Sequence, residues 1–166
     1  LVHSQMARED QVARMKALGV TPSFFSAHTW YWGDRHRDIF IGPDRAAVIS
    51  PASWAQEHGL RFSSHLDTPV VPMQPLQAVW SQVFRQTYGG DVLGPEQRID
   101  VMSALRAVTI DAAWQVFQED NRGSLEPGKY ADLVVLSGNP LEAPMAMREL
   151  QVERTLVGGA TIYRRQ

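Results

Sequence analysis

A chain of 166 residues, 44% hydrophobic and 20% charged, suffices for one ordinary domain with a real core. A formal net charge of −2 without any basic cluster gives no case for nucleic acid as a partner, and the lack of cysteine excludes a disulfide framework, a thiolate metal site and a cysteine nucleophile. No apolar run is long enough to span a bilayer and no signal peptide is visible, so a cytoplasmic protein with no membrane partner is expected.

The opening "LVHSQM" lacks an initiator methionine and reads as the tail of a strand, so the chain is expected to start within a domain. Residues 7–18 carry Val12, Met15 and Leu18 at helical spacing, with Gly19 placed to end the helix. "VTPSFFSAH" predicts a strand over 20–27, and "HTWYWGDRHRDIF", 28–40, shows no period and predicts a long loop. Residues 43–58 are helical, with Ser50 as N-cap and Pro51 as first residue dividing them into two short helices. "LRFSSHLD", 60–67, is the next strand. An amphipathic helix over 74–87 follows, with Leu76, Val79, Trp80, Val83 and Phe84 on one face. Asp100 caps a further helix, and Thr109 opens another through Phe117. "ADLVVLS", 131–137, is a β-run, and Gly158-Gly159 between two β-like segments suits the primed turn of a hairpin. Residues 1–120 therefore alternate strand and helix as a parallel α/β layer does, and 121–166 form part of a small β-unit.

Chemistry concentrates at the strand ends. In a strand over 60–67, Arg61, Ser63, His65 and Asp67 share one face while Leu60, Phe62, Ser64 and Leu66 share the other. In a barrel this puts His65 and Asp67 at the mouth, where barrel enzymes keep their active sites. An aspartate there can bind a cation and take a proton from activated water. Asp67-Thr68-Pro69 also reads as ordinary turn chemistry. His3 and His28 occupy the same relative place on their strands, so three strand ends in succession carry a histidine, and neutral imidazole is the commonest metal ligand. His36, in a charged run, and His58, beside a helix-ending glycine, read as solvated. Trp30, Tyr31 and Trp32 read either as a substrate wall or as loop cover. No G-x-S-x-G, phosphate-binding glycine loop, H-E-x-x-H or H-x-H is present.

"GSLEPGKYADLVVLSGNPL" at 123–141 resembles the segment by which amidohydrolase-superfamily enzymes return from their barrel to a small β-domain. "MSALRAVTIDAAWQVF" resembles the helix pair before it, and "RTLVGGATIY" resembles the closing hairpin. "VHSQM", "SFFSAHTWYWGD" and "SHLDTPV" narrow the resemblance to the amidohydrolase-3 group, the YtcJ-like metal-dependent hydrolases. The resemblance implies the C-terminal part of a (β/α)8 TIM barrel, about strands six to eight, with the C-terminal strands of a small β-domain. It implies a divalent metal, zinc before others and one or two ions, and hydrolysis of carbon–nitrogen bonds other than peptide bonds in a small-molecule amide, N-acyl or N-formyl substrate. His3 corresponds to the sixth-strand metal histidine, and Asp67 to the eighth-strand aspartate that is both ligand and general base. His28 and His65 correspond to substrate-side groups, with Trp30 and Tyr31 beside them. Val2 replaces the usual acidic residue before the sixth-strand histidine, and Thr68 the usual small residue after the aspartate. The first-strand H-x-H, the fourth-strand bridging group and the fifth-strand histidine have no counterpart in this sequence. A chain with so few ligands is expected to be inactive alone, and its unpaired edges imply a homo-oligomer. The rival expectation is a non-catalytic folded or oligomerising module.

Overall fold

Three two-residue parallel strands stand at the centre of the structure, a computed structural model that describes residues 1–166. They are β1 (Val2–His3), β2 (Ser23–Phe24) and β3 (Ser63–Ser64), in that order, with Val2 opposite Ser23 and Ser23 opposite Ser63. Helix α1 (Glu9–Ala17) links β1 to β2, and α2 (His28–Arg35), α3 (Pro43–Ala47) and α4 (Ala52–Glu57) link β2 to β3. After β3 come α5 (Pro75–Phe84), α6 (Val101–Ala107) and α7 (Ile110–Gln115). Parallel strands require such crossovers, and the expected strand–helix alternation is present.

The strands β2 and β3 are shorter at both ends than the sequence suggests, and each of the three is turned aside at its C-terminal end. His3 and Asp67 adopt left-handed backbone, with φ of 62° and 56°. Past Phe24 the chain turns directly into α2, with His28 N–H donating to Phe25 O. The expected alternation along 60–67 nonetheless holds on its apolar face. Leu60, Phe62, Ser64 and Leu66 are all buried; on the other face Arg61 and His65 are half-buried and Asp67 is exposed, but Ser63 is buried as well. The main core gathers Val12, Phe24, Phe62, Val79, Trp80 and Met147 from helices, strands and the closing unit alike. Fully burying an aromatic such as Phe24 stabilises the fold by roughly 1.5–3 kcal/mol.

The segment 28–40 is not a loop. It is α2 followed by a π-helical turn, His36–Phe40. The positions it buries most fully, Thr29 and Gly33, are a hydroxyl residue and a glycine rather than large apolar residues, so the sequence does not advertise this face as a helix stripe. Thr29 and Gly33 are buried, Trp30 meets Trp80, and Trp32 meets Phe25. Two helices do divide 43–58, but Pro51 occupies the cap of α4. Ser50 is instead buried at φ 49°, its N–H donating to Gln5 O at 2.8 Å and its hydroxyl reaching toward Phe25 O. Tertiary partners here outcompete local capping. Elsewhere local chemistry suffices: Asp100 Oδ1 accepts from Ser103 N–H at 2.9 Å and caps α6 as expected.

The closing unit is an antiparallel sheet of β4 (Leu133–Leu136), β5 (Val152–Val157) and β6 (Ala160–Arg164). Gly158 and Gly159, at φ 56° and 83°, form the primed turn between the last two. A 3₁₀ segment, Pro144–Glu149, ties this unit back to the helical layer. Its Met147 is wholly buried in the main core, and the Arg148 guanidinium lies 3.9 Å from the Trp80 ring and 4.2 Å from that of Trp30.

Candidate metal centre

The left-handed turn at His3 redirects the imidazole as the chain leaves β1, and that at Asp67 does the same for the carboxylate three residues beyond β3. Non-glycine residues in this region are uncommon and concentrate at functional sites. Val70 N–H donates to Asp67 O at 2.8 Å, so the turn read from Asp67-Thr68-Pro69 is real. Turn and site are the same feature. His3 Nε2 lies 3.8 Å from Asp67 Oδ2, and His3 Nδ1 lies 3.3 Å from His65 Nε2. One ligand atom each from His3, His65 and Asp67 can be chosen so that all lie within 4.8 Å of one another. Two imidazoles and a carboxylate so close suit a divalent cation, so the donor set fits the kind of metal that the resemblance implies.

His28 enters the same cluster from the first turn of α2 rather than from a strand end. Its ring is 5.8 Å from that of His3, near-parallel, and 4.0 Å from Phe25. Burial, then the neighbouring His36, His3 and His65, push its pKa down to about 4, so its imidazole is neutral at ordinary pH. Its Nδ1 is buried without a hydrogen-bond partner, a polar atom in want of a ligand. Burial, then His3, also lowers the pKa of His65. His65 and Asp67 line a cleft of about 340 Å³ with Thr68, Met73, Pro75 and Val108. A depression of about 360 Å³ at the other end of the 60–67 run holds the Arg61–Asp111 ion pair and lies apart from these groups.

Two expectations need correction. Trp30 does not join the cluster. On a helix, residue 30 lies about 200° around from 28, and its half-buried ring packs against Trp80 of the main core and the exposed Tyr88. Tyr31 packs half-buried beside Trp32, against the cluster of Phe25, Leu66 and Val71. His36 is not solvated. Its Nδ1–H donates to Trp32 O at 2.7 Å, its Nε2 accepts from the Gln5 amide at 2.8 Å, and its ring is 5.7 Å from that of His28. His28, Trp32 and His36 are spaced by four, a ladder visible in the sequence once 28–36 is read as helix. His58 stays outside, half-buried with Nε2 3.5 Å from Glu9.

The sequence profile of an amidohydrolase family, the amidohydrolase-3 group, matches residues 1–163. An N-substituted formamide deformylase from Arthrobacter pascens is 32% identical over 99% of this chain, and the putative amidohydrolase YtcJ of Bacillus subtilis is 26% identical over 98%. The chain spans 31% of the length of each. An amidohydrolase structure from Thermotoga maritima superposes with a TM-score of 0.67 at 24% identity, over 99% of this chain and 36% of that one. A zinc-bound adenosine deaminase structure from Xanthomonas campestris gives 0.70 at 20%, over 96% and 36%. These likenesses show the fold: about strands six to eight of a (β/α)8 barrel, with the closing strands of its small β-domain. With a profile match over nearly its whole length, the chain belongs to the amidohydrolase family.

Proposed function

We propose that this chain contributes one side of the active site of a metal-dependent hydrolase acting on small amides, of the N-formyl or N-acyl kind, at carbon–nitrogen bonds other than peptide bonds. The observation that carries this reading is the convergence of His3, His65 and Asp67 from the end of β1 and from beyond the end of β3, on either side of β2. Likeness to a formamide deformylase over 99% of the chain favours the N-formyl class. His3 and Asp67 would hold the divalent metal, zinc by preference, which when bound polarises a carbonyl and acidifies water. Asp67 Oδ accepts the proton of the attacking water and returns it to the leaving nitrogen as the carbon–nitrogen bond breaks. The neutral His28 presents a polar edge to the substrate without repelling the cation, and Tyr31 borders the same side. Residues 1–120 belong to the barrel and 121–166 to the small β-domain in this reading.

Zinc sites commonly use about four ligands, and this chain offers fewer, so the chain alone is inactive with N-formyl and N-acyl amines in excess zinc. Steady-state assays of the purified chain check this: turnover abolished both by chelation and by Asp67→Asn would refute it. In a longer protein carrying this chain, Asp67→Asn lowers kcat by roughly a hundredfold or more. A normal kcat with full metal content in that variant would show that Asp67 has another role. We propose also that the chain self-associates, because its sheet edges and several large apolar side chains lie open.

A further inference from the structure

Ser23 and Ser63 hold paired register positions on β2 and β3, and their hydroxyl oxygens are 2.9 Å apart. Ser63 Oγ also meets Gln115 Oε1, at the end of α7, at 2.5 Å, and Ser23 Oγ meets His65 Nδ1 at 2.9 Å. Counting protons gives this line a direction. The Gln115 carbonyl oxygen only accepts, so Ser63 donates its single proton there. Ser23 must then donate to Ser63 and, with no second proton, can only accept from His65. Nδ1 of His65 therefore carries the proton and Nε2 keeps its lone pair. That lone pair belongs to the atom 3.3 Å from His3 Nδ1. Two nitrogens bound to one tetrahedral cation, at about 2.0–2.1 Å each, stand about 3.4 Å apart.

We propose that the line Gln115–Ser63–Ser23 locks His65 in its Nδ1–H tautomer, and so makes Nε2 a third metal-ligand atom beside His3 and Asp67. His65 is then a ligand rather than a substrate contact, and Ser23, Ser63 and Gln115 are positioning residues. Metal-binding histidines generally donate their second N–H to such a partner, which fixes the ring and strengthens the donor. Here the final acceptor stands on a helix, two hydroxyls away, so a shift of α7 would be felt at the metal. This inference rests on the metal-hydrolase reading above.

Two measurements test it without recourse to turnover. Long-range ¹H–¹⁵N correlation spectra of the metal-free, histidine-labelled chain show which imidazole nitrogen is protonated. His65 should be Nδ1–H in the wild type and in Gln115→Glu, whose carboxylate still accepts, and should become a tautomer mixture in Ser23→Ala. Cobalt(II) binding, followed by visible absorption, should weaken about 10- to 100-fold in Ser23→Ala and Gln115→Leu and be retained in Gln115→Glu. Gln115 is half-buried at a helix end, so its variants keep the test available if Ser23→Ala does not fold. A proton on Nε2 in the wild type, the result if Gln115 donated to Ser63 through its amide nitrogen, overturns the proposal. So does cobalt affinity unchanged in Ser23→Ala and His65→Ala but lost in His3→Ala and Asp67→Asn, an outcome that leaves the metal-hydrolase reading standing. Cobalt affinity indifferent to His3, His65 and Asp67 alike refutes that reading and the proposal together.

Discussion

His28 lies half-buried against Phe25 and edge-on to Trp32, where a charge is solvated less well than in water. Its pKa, pushed down to about 4 chiefly by burial, lies below the ordinary value of 6.5. As pH falls from about 6.5 toward 4, the unfolded chain takes up a proton here that the folded chain refuses, so stability falls through that window and is unaffected above it. Histidine-resolved NMR should show His28 titrating well below pH 6, and His28→Gln should flatten the acid limb of a stability–pH curve; an ordinary titration near 6.5 would mean the ring is more open than this packing implies. His36 is the second residue that packing redefines. Its two hydrogen bonds join α2 to the turn after β1. At about 0.5–1.5 kcal/mol net each, His36→Ala should cost roughly 1–3 kcal/mol in urea unfolding, where a solvated histidine would cost nothing measurable.

At the scale of elements, α2 shows how close packing selects a residue against its propensity. Gly33 lies mid-helix, where alanine is ordinarily better by up to about 1 kcal/mol. A Cβ there would lie 2.7 Å from Thr87 Cγ2 and 3.3 Å from Leu93 Cδ2. Thr87 is fully buried and cannot swing away. Gly33→Ala should therefore destabilise the chain by about 1–2 kcal/mol, overpacking exceeding the helical gain. Thr87→Ser removes the clashing methyl, so the double variant should recover part of that loss. A more stable Gly33→Ala single variant would show that the contact is loose. The closing hairpin, by contrast, needs no such context, since two adjacent left-handed glycines define its turn locally.

For the whole molecule, the open surfaces are the salient fact. Phe117, Leu125, Ile162 and Val134 are 87%, 82%, 66% and 54% exposed, and the outer strands of both sheets have an unpaired edge. Open edges and apolar side chains recruit other chains. Sedimentation at micromolar concentration should therefore find a dimer or larger species, a two-fold dimer being the simplest closed arrangement. A folded, strictly monomeric chain would contradict this. Within the chain, Met147 and Arg148 hold the β-unit to the helical layer through the core and the Trp30–Trp80 pair, so the two sheets are not independent bodies.

Local chemistry was enough for the sequence to declare the parallel α/β order, the Asp100 cap, the glycine hairpin and His3, His28, His65 and Asp67 as a convergent set. Each of these depends on spacing, on one side chain bonding a nearby N–H, or on a backbone region that only certain residues favour. The tertiary structure decided what spacing cannot carry. It made 28–40 helical, although the positions most fully buried there, Thr29 and Gly33, are not the large apolar residues that mark a helix stripe. It took Ser50 from its cap for the N–H bond to Gln5 O, turned Trp30 against Trp80, and recruited His36. It also brought Ser23, Ser63 and Gln115 into one hydrogen-bonded line. Residues 23, 63 and 115 are far apart in the chain, and only strand register with the docking of α7 brings their oxygen atoms within a proton's reach.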